Sequence, residues 1–187
     1  MQAGSDSLLE YALLGLLRPA PASGYSLRKV FATSAMGSFS DSPGAIYPAL
    51  KRLEKAGQIV GDVEESAGLR HRKIYRLTAK GRGRLDRWIR RPLAPRAVVK
   101  GMGGIMLQFA FCDPVSEPKV ALRLLNSLHS QLNDYVAELE AYFAAHEEQM
   151  PVSGRLALAH GIQSFRSSLE WTVGAIAACK QYERSKS

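Results

Sequence analysis

The stretch SPGAIYPALKRLEKAGQI, running from Ser42 to Ile59, decides the fold of this 187-residue chain. Ser42 is a strong N-cap, because its hydroxyl can accept from a first-turn amide, and Pro43 follows where a missing N–H costs nothing. Ile46, Ala49, Leu50 and Leu53 fall at i, i+3, i+4 and i+7, one apolar stripe, and Gly57 stands where a left-handed C-cap ends a helix. The other face carries Tyr47, Lys51, Arg52 and Lys55. One buried face and one basic, aromatic-bearing face suit a DNA major groove. Pro48 conflicts with this reading, since an interior proline removes an amide and crowds the carbonyl of Gly44, at a cost of about 3 kcal/mol. A helix starting only at Pro48 would leave Ile46 outside the stripe it joins in register. The spacing therefore predicts a continuous helix kinked near its first turn.

Upstream, Leu9, Ala12, Leu13, Leu16 and Leu17 recur at helical spacing, which predicts a first helix from Ser7 to Leu17 with Asp6 or Ser7 as its cap. Tyr25, Leu27, Val30 and Phe31 predict a second, shorter helix over 24–35. Three helices joined by short turns, the third basic, make a helix-turn-helix core. Downstream the period changes to two: Ile59, Gly61 and Val63 alternate, as do Lys73, Tyr75 and Leu77, so a β-hairpin follows the third helix. In that position the hairpin is the wing of a winged helix, with Arg70, His71, Arg72 and Lys73 as a basic run near its tip. Thr78 caps a fourth helix whose apolar face is Leu85, Trp88 and Ile89.

With this much read, residues Ala45 to Gly57, AIYPALKRLEKAG, resemble the recognition-helix motif of the PadR family of bacterial transcriptional regulators. The run Tyr75-Arg76-Leu77-Thr78-Ala79-Lys80-Gly81 is similar to the family's second wing strand and the start of its next helix. Gly24-Tyr25 sits where a Gly-Tyr pair opens the second helix, with Ser23 replacing the histidine often found before it. The motifs cover roughly the first half of the chain; the second half resembles the family only in its helical pattern. The resemblance implies two winged helices facing a two-fold symmetric operator, intertwined C-terminal helices, and a small aromatic acid or drug that weakens operator binding.

Charge agrees with a polyanionic partner. Of the net +8, residues 1–93 hold 16 Lys/Arg against 8 Asp/Glu, while residues 94–187 hold 9 against 9. All the excess lies in the half with the basic helix and hairpin. An apolar content of 46% excludes wholesale disorder. No run of about 18 uncharged apolar residues occurs and Asp6 and Glu10 stand near the start, so neither a membrane span nor a signal peptide is expected, and the expected location is cytoplasmic. Cys112 and Cys179 lack metal-type spacing and read as two buried reduced thiols.

The second half divides at prolines and glycines. Residues 94–117 read as a connector with a short buried helix, because Gly101, Gly103 and Gly104 interrupt an apolar run containing Met106, Phe109 and Phe111. A phosphate-binding loop is not supported, since the strand, loop and helix order and the lysine of a P-loop are absent. From Pro118, Ala121, Leu125, Leu128, Leu132, Tyr135, Leu139 and Tyr142 are spaced 4, 3, 4, 3, 4, 3 as in a coiled-coil seam. After Pro151, Leu158, Ile162, Phe165, Leu169, Thr172, Ile176 and Cys179 repeat it. Two antiparallel helices could satisfy each other's seams within one chain, but Leu122, Leu124 and Val136 would then stay exposed, which predicts a homodimer through Leu125, Leu128, Leu132, Tyr135, Leu139, Leu158, Ile162, Phe165 and Leu169.

The expected fold is mainly α: a winged helix-turn-helix of three helices and a two-stranded wing in residues 1–93, and a long-helix dimerisation domain in residues 118–187. No metal or cofactor site and no catalytic constellation is expected, because His71, His129, His146 and His160 have no ligand spacing and no G-x-S-x-G occurs. The function expected is a sequence-specific, homodimeric DNA-binding repressor released by a small-molecule effector. Its DNA-binding residues are Ser42, Tyr47, Lys51, Arg52, Lys55, Arg70, His71, Arg72 and Lys73, with Lys51 and Arg52 at base edges and the wing on phosphates. Trp88, Phe109, Phe111 and Trp171 are candidates for an effector pocket, although core packing explains them as well. The competing function is a protein–protein adaptor, or a nonspecific architectural DNA-binding protein, using the same winged helix.

Overall fold

The protein is described here by a computed structural model that covers residues 3–39, 42–64, 72–113 and 117–185. It divides into two units, Met1–Arg90 and Arg91–Ser187.

The first unit contains α1 (Ala3–Leu16), β1 (Ala22–Ser23), α2 (Gly24–Thr33), α3 (Pro43–Lys55), β2 (Ile59–Glu64), β3 (Arg72–Leu77) and α4 (Ala79–Ile89). Helix α1 starts at Ala3, earlier than the sequence suggests, so Asp6 and Ser7, expected before its first turn, lie within it. The apolar stripe of α3 is buried as its spacing requires: Ile46, Ala49 and Leu50 are fully covered and Leu53 almost so. Helices α1 and α2 pack against α3, and Leu13 of α1, Leu27 and Phe31 of α2, and Leu85 of α4 are buried as well. The helix runs unbroken through Pro48. Its first turn closes on the Ser42 carbonyl, which accepts from Ala45 N at 3.0 Å and Ile46 N at 3.1 Å. Gly44, whose carbonyl loses its partner to Pro48, is exposed and open to solvent.

Helix α3 ends in a Schellman arrangement. Gln58 N donates to Leu53 O and Gly57 N to Glu54 O, both at 2.9 Å, with Gly57 at φ +68°. A side chain at that φ strains the backbone by about 1–2 kcal/mol. Gly57→Ala is expected to lower the unfolding free energy of the protein by that amount, as read from urea melts, with no change in m-value.

The sheet has three strands, in the order β1-β3-β2, all antiparallel. The two-stranded wing is therefore joined by a third strand, the dipeptide Ala22–Ser23, which pairs with Tyr75 and Ile74. Ser23 also caps α2, its Oγ accepting from Ser26 N at 3.0 Å. Thr78 caps α4 through Gly81 N at 3.1 Å and donates its hydroxyl to Gly57 O at 2.8 Å, which ties the start of α4 to the end of α3.

The second unit holds α5 (Met102–Ala110), α6 (Pro118–His146) and α7 (Val152–Arg184), with single 3-10 turns at Ala97–Lys100 and Glu147–Gln149. The long helices α6 and α7 pack against each other along their length. Tyr135 meets Phe165 edge-on at 5.0 Å, His129 Nδ1 lies 2.8 Å from Thr172 Oγ1, and Arg166 bridges to Glu140 at 2.7 Å. The seams thus satisfy each other inside one chain. Leu125, Leu128 and Leu132 have no exposed surface and Ile162 is buried, so these four are corrected from dimer contacts to intrachain core. Leu122, Leu124 and Val136, expected to stay exposed, are buried too. Tyr135, Leu139, Leu158, Phe165 and Leu169 are partly covered, with Phe165 and Leu169 against the cluster of Val98, Ile105, Leu128 and Leu132. The surplus apolar surface lies instead on α7, where Leu156, Trp171 and Val173 are 64%, 40% and 58% exposed.

Both cysteines are buried, and burial pushes the Cys179 thiol above its ordinary value. No described helix is long and apolar enough to cross a membrane.

Candidate nucleic-acid interface

Because α3 turns its apolar stripe inward, its outer face is fixed by helical geometry. Gly44, Pro48, Lys51 and Lys55 form the middle of the exposed arc, with Tyr47 on one flank and Arg52 on the other. Among the described residues Lys51 and Lys55 enter no ion pair, so their ammonium groups are available to an anion. Ser42 holds the amino end of the arc, its Oγ accepting from Gly44 N at 3.2 Å.

Tyr47 is 39% exposed. Its ring lies over Gly24, where a Cβ would come within 2.8 Å of Cε1. The start of α2 can approach α3 this closely only because residue 24 has no side chain. The gap beside it is a cleft of about 490 Å³ lined by Ser23, Gly24, Tyr25, Tyr47, Arg72, Lys73 and Tyr75. This cleft brings the opening of α2, the outer face of α3 and the wing strand together on one side of the unit.

The wing cations differ in what they already hold. Lys73 Nζ lies 2.8 Å from Glu54 Oε2 on α3, and that hydrogen bond holds its pKa above the ordinary lysine value. Arg76 is paired with Asp62 across the hairpin. Arg72 is exposed and, among the described residues, enters no ion pair. Lys73, expected at phosphates, is one side of an α3–wing bridge. Arg70 and His71 lie outside the described residues.

Arg52 points away from the wing. Its Nε donates to Glu10 Oε1 on α1 at 3.0 Å, and the other carboxylate oxygen of Glu10 accepts from Arg84 Nη2 at 2.7 Å. Arg84 also reaches Gln58 Oε1 at 2.5 Å and lies 5.0 Å over the Tyr11 ring, which stacks on Trp88 at 4.4 Å. Trp88 thus has one face covered by Tyr11. In the second unit, Phe109 meets Trp171 edge-on at 5.6 Å, and Phe111 is partly buried. No group of three or more His, Cys, Asp or Glu able to hold a metal occurs among the described residues.

The family model described as the transcriptional regulator PadR-like family matches residues 13–87, from within α1 to within α4. Over those residues the chain is similar to the PadR-like family of transcriptional regulators. The negative transcriptional regulator PadR of Bacillus subtilis (strain 168) is 28% identical over 141 residues, which is 75% of this chain and 78% of the relative. Among solved structures, Bacillus subtilis PadR in complex with operator DNA is 24% identical and covers 91% of this chain and 98% of its own, with a TM-score of 0.45. A PadR-like transcriptional regulator from Bacillus cereus is 22% identical, with coverages of 92% and 98% and a TM-score of 0.40.

Three features of the site escaped sequence reasoning. Gly44 and Pro48, weighed only for the cost of an interior proline, occupy the middle of the exposed arc; helical-wheel position alone would have found them. Tyr25, 63% exposed with Arg28 5.6 Å from its ring centroid, stands at the cleft mouth. Glu10 had no local signal, because its partners lie in α3 and α4.

Proposed function

We propose that the protein is a homodimeric, sequence-specific DNA-binding repressor that releases its operator when a small molecule binds. The observation that carries this is the outer arc of α3: two lysines that enter no ion pair among the described residues, beside two residues too small or too rigid to obstruct a groove, in a half-chain that holds all the excess positive charge. Lys51 and Arg52 meet base edges and Tyr47 and Lys55 flank them. Ser42 with the α3 amino end holds phosphate. Arg70, His71 and Arg72 meet phosphates from the wing, and Lys73 steadies the wing on α3. The negative regulator among the relatives supports repression as the sign of control. Such a protein works in the cytoplasm and needs no catalytic group.

Dimerisation is assigned to α7, whose apolar side chains Leu156 and Val173 are largely exposed and Trp171 in part. Tyr135, Leu139, Leu158, Phe165 and Leu169 support it from the partly covered edge of the α6–α7 pair. The effector is a small aromatic acid or drug, and the Phe109–Trp171 pair in the second unit, with Trp171 still part-exposed, is its proposed aromatic contact.

The test begins with duplexes selected from a randomised pool by the purified protein. Lys51→Ala is expected to cost about 1–3 kcal/mol on the selected duplex and much less on a scrambled one. Arg72→Ala is expected to weaken both alike and to reduce the slope of log K against log salt by about 0.9. Fluorescence anisotropy across a salt series measures both. Discrimination lost in the Arg72 variant and kept in the Lys51 variant would make the wing the reader, and equal affinity for every duplex would favour the adaptor or architectural reading.

A further inference from the structure

We propose that Glu10 is a positioning residue for recognition: it grips the Nε edge of Arg52 so that the two terminal guanidinium nitrogens are presented end-on to a guanine. The inference rests on the DNA-reading proposal above and adds to it a residue on α1, away from the groove-facing helix.

The frame that holds Glu10 is rigid on three sides. Its side chain is 14% exposed, and the Oε2 oxygen is fixed by Arg84 at 2.7 Å. Arg84 cannot swing away, because Gln58 holds its Nη1 and Tyr11, stacked on Trp88, lies beneath its guanidinium. One oxygen of an immobilised carboxylate is thus left for Arg52, which takes it through Nε alone. The Arg52 side chain remains 47% exposed, and among the described residues its terminal nitrogens have no protein partner.

A guanidinium reads guanine by placing two parallel N–H groups on O6 and N7. With Nε committed, the end-on pair of Nη1 and Nη2 is the fork that remains, and its direction is set by the carboxylate behind it. The rotamer freedom of a long side chain is then surrendered on folding instead of on binding, which is how preorganisation raises affinity. The charge needed for an anionic partner is not cancelled either, since two arginines share one carboxylate and a net positive charge stays at this edge of α3.

The experiment compares the wild-type chain with Glu10→Gln, Arg52→Ala, Arg52→Lys and the Glu10→Gln/Arg52→Ala double variant, on the pool-selected duplex and a scrambled duplex, across a salt series. Glu10→Gln and Arg52→Lys are each expected to lose about tenfold in discrimination, and Glu10→Gln is expected to change nothing further once Arg52 is alanine. Arg52→Lys keeps its charge, so its salt slope on the scrambled duplex should match the wild type. It also leaves the Glu10–Arg84 frame intact, so it decides the matter even if Glu10→Gln melts early. Tighter binding of both duplexes by Glu10→Gln would show that the carboxylate withholds Arg52 and would overturn the proposal. So would full discrimination in Arg52→Lys, or a Glu10→Gln loss that persists in the alanine background. A wild-type chain that enriches no sequence would overturn the DNA-reading proposal itself, and this one with it.

Discussion

Separated from the rest of the chain, residues 1–90 are expected to bind the selected duplex about 100-fold more weakly than the full-length protein. The fragment keeps α3, the wing and nearly all the excess positive charge, so each copy still attracts phosphate as before. What it loses is the second copy. Two half-site contacts joined by a dimer act at an effective concentration that commonly multiplies affinity about 100-fold or more. Affinity for a scrambled duplex, set by charge, should fall much less. Circular dichroism of the fragment comes first, to establish that its helices and sheet form. Sedimentation equilibrium of the full chain should then give twice 20.5 kDa. A full-length monomer, or a fragment that binds the operator as tightly as the whole, would end the dimer reading.

The largest effect on stability is expected at Gly81. A Cβ there would lie 2.0 Å from the Gln58 carbonyl oxygen and 2.9 Å from its carbon, and the obstacle is backbone that cannot rotate aside. Moving it means parting α4 from the α3–β2 turn, where Thr78 N donates to that same carbonyl at 3.1 Å and Thr78 Oγ1 donates to Gly57 O. In an open helix, glycine to alanine is worth about 0.5–1 kcal/mol in favour of folding. Overpacking against an unyielding neighbour costs about 1–3 kcal/mol and occasionally more. With contact this short the steric cost wins, and Gly81→Ala should destabilise by about 2–3 kcal/mol, a fall in Tm on the order of 10 °C for a domain of this size. Gly83, two residues further along α4, supplies the control. A Cβ at Gly83 meets only Arg87 Nη1 at 3.6 Å, so Gly83→Ala should be neutral or stabilising. Thermal melts of the two variants should therefore move in opposite directions, and equal shifts would show that helix propensity alone governs both.

What could be read in advance was whatever leaves a local trace. Ser42, the 46–49–50–53 stripe and Gly57 fixed α3 because capping, periodicity and a left-handed residue all act within a few positions. Thr78 announced α4 for the same reason. The strand Ala22–Ser23 was invisible, since two small residues carry no period and their partner lies in β3. The bonds of Arg52 to Glu10 and of Lys73 to Glu54 were equally hidden. Sequence showed that these cations lie on a polar face but not which carboxylate the fold would bring beside them. For α6 and α7 the seams were correct, but Leu125, Leu128, Leu132 and Ile162, assigned to a dimer face, are buried within the chain. The 4, 3 spacing says that a helix partner exists and is silent on whether that partner belongs to the same chain.

The pairing of Ala22–Ser23 with β3 also has a consequence for synthesis. As the chain leaves the ribosome, α1, α2 and α3 can each coil from neighbouring residues, but β1 has nothing to pair with until Ile74 and Tyr75 have been made. Contacts that close long loops come late in folding. The α3 lysines are thus on display before the wing that flanks them exists. A nascent chain can meet nucleic acid through its charge well before it has the means to choose among sequences.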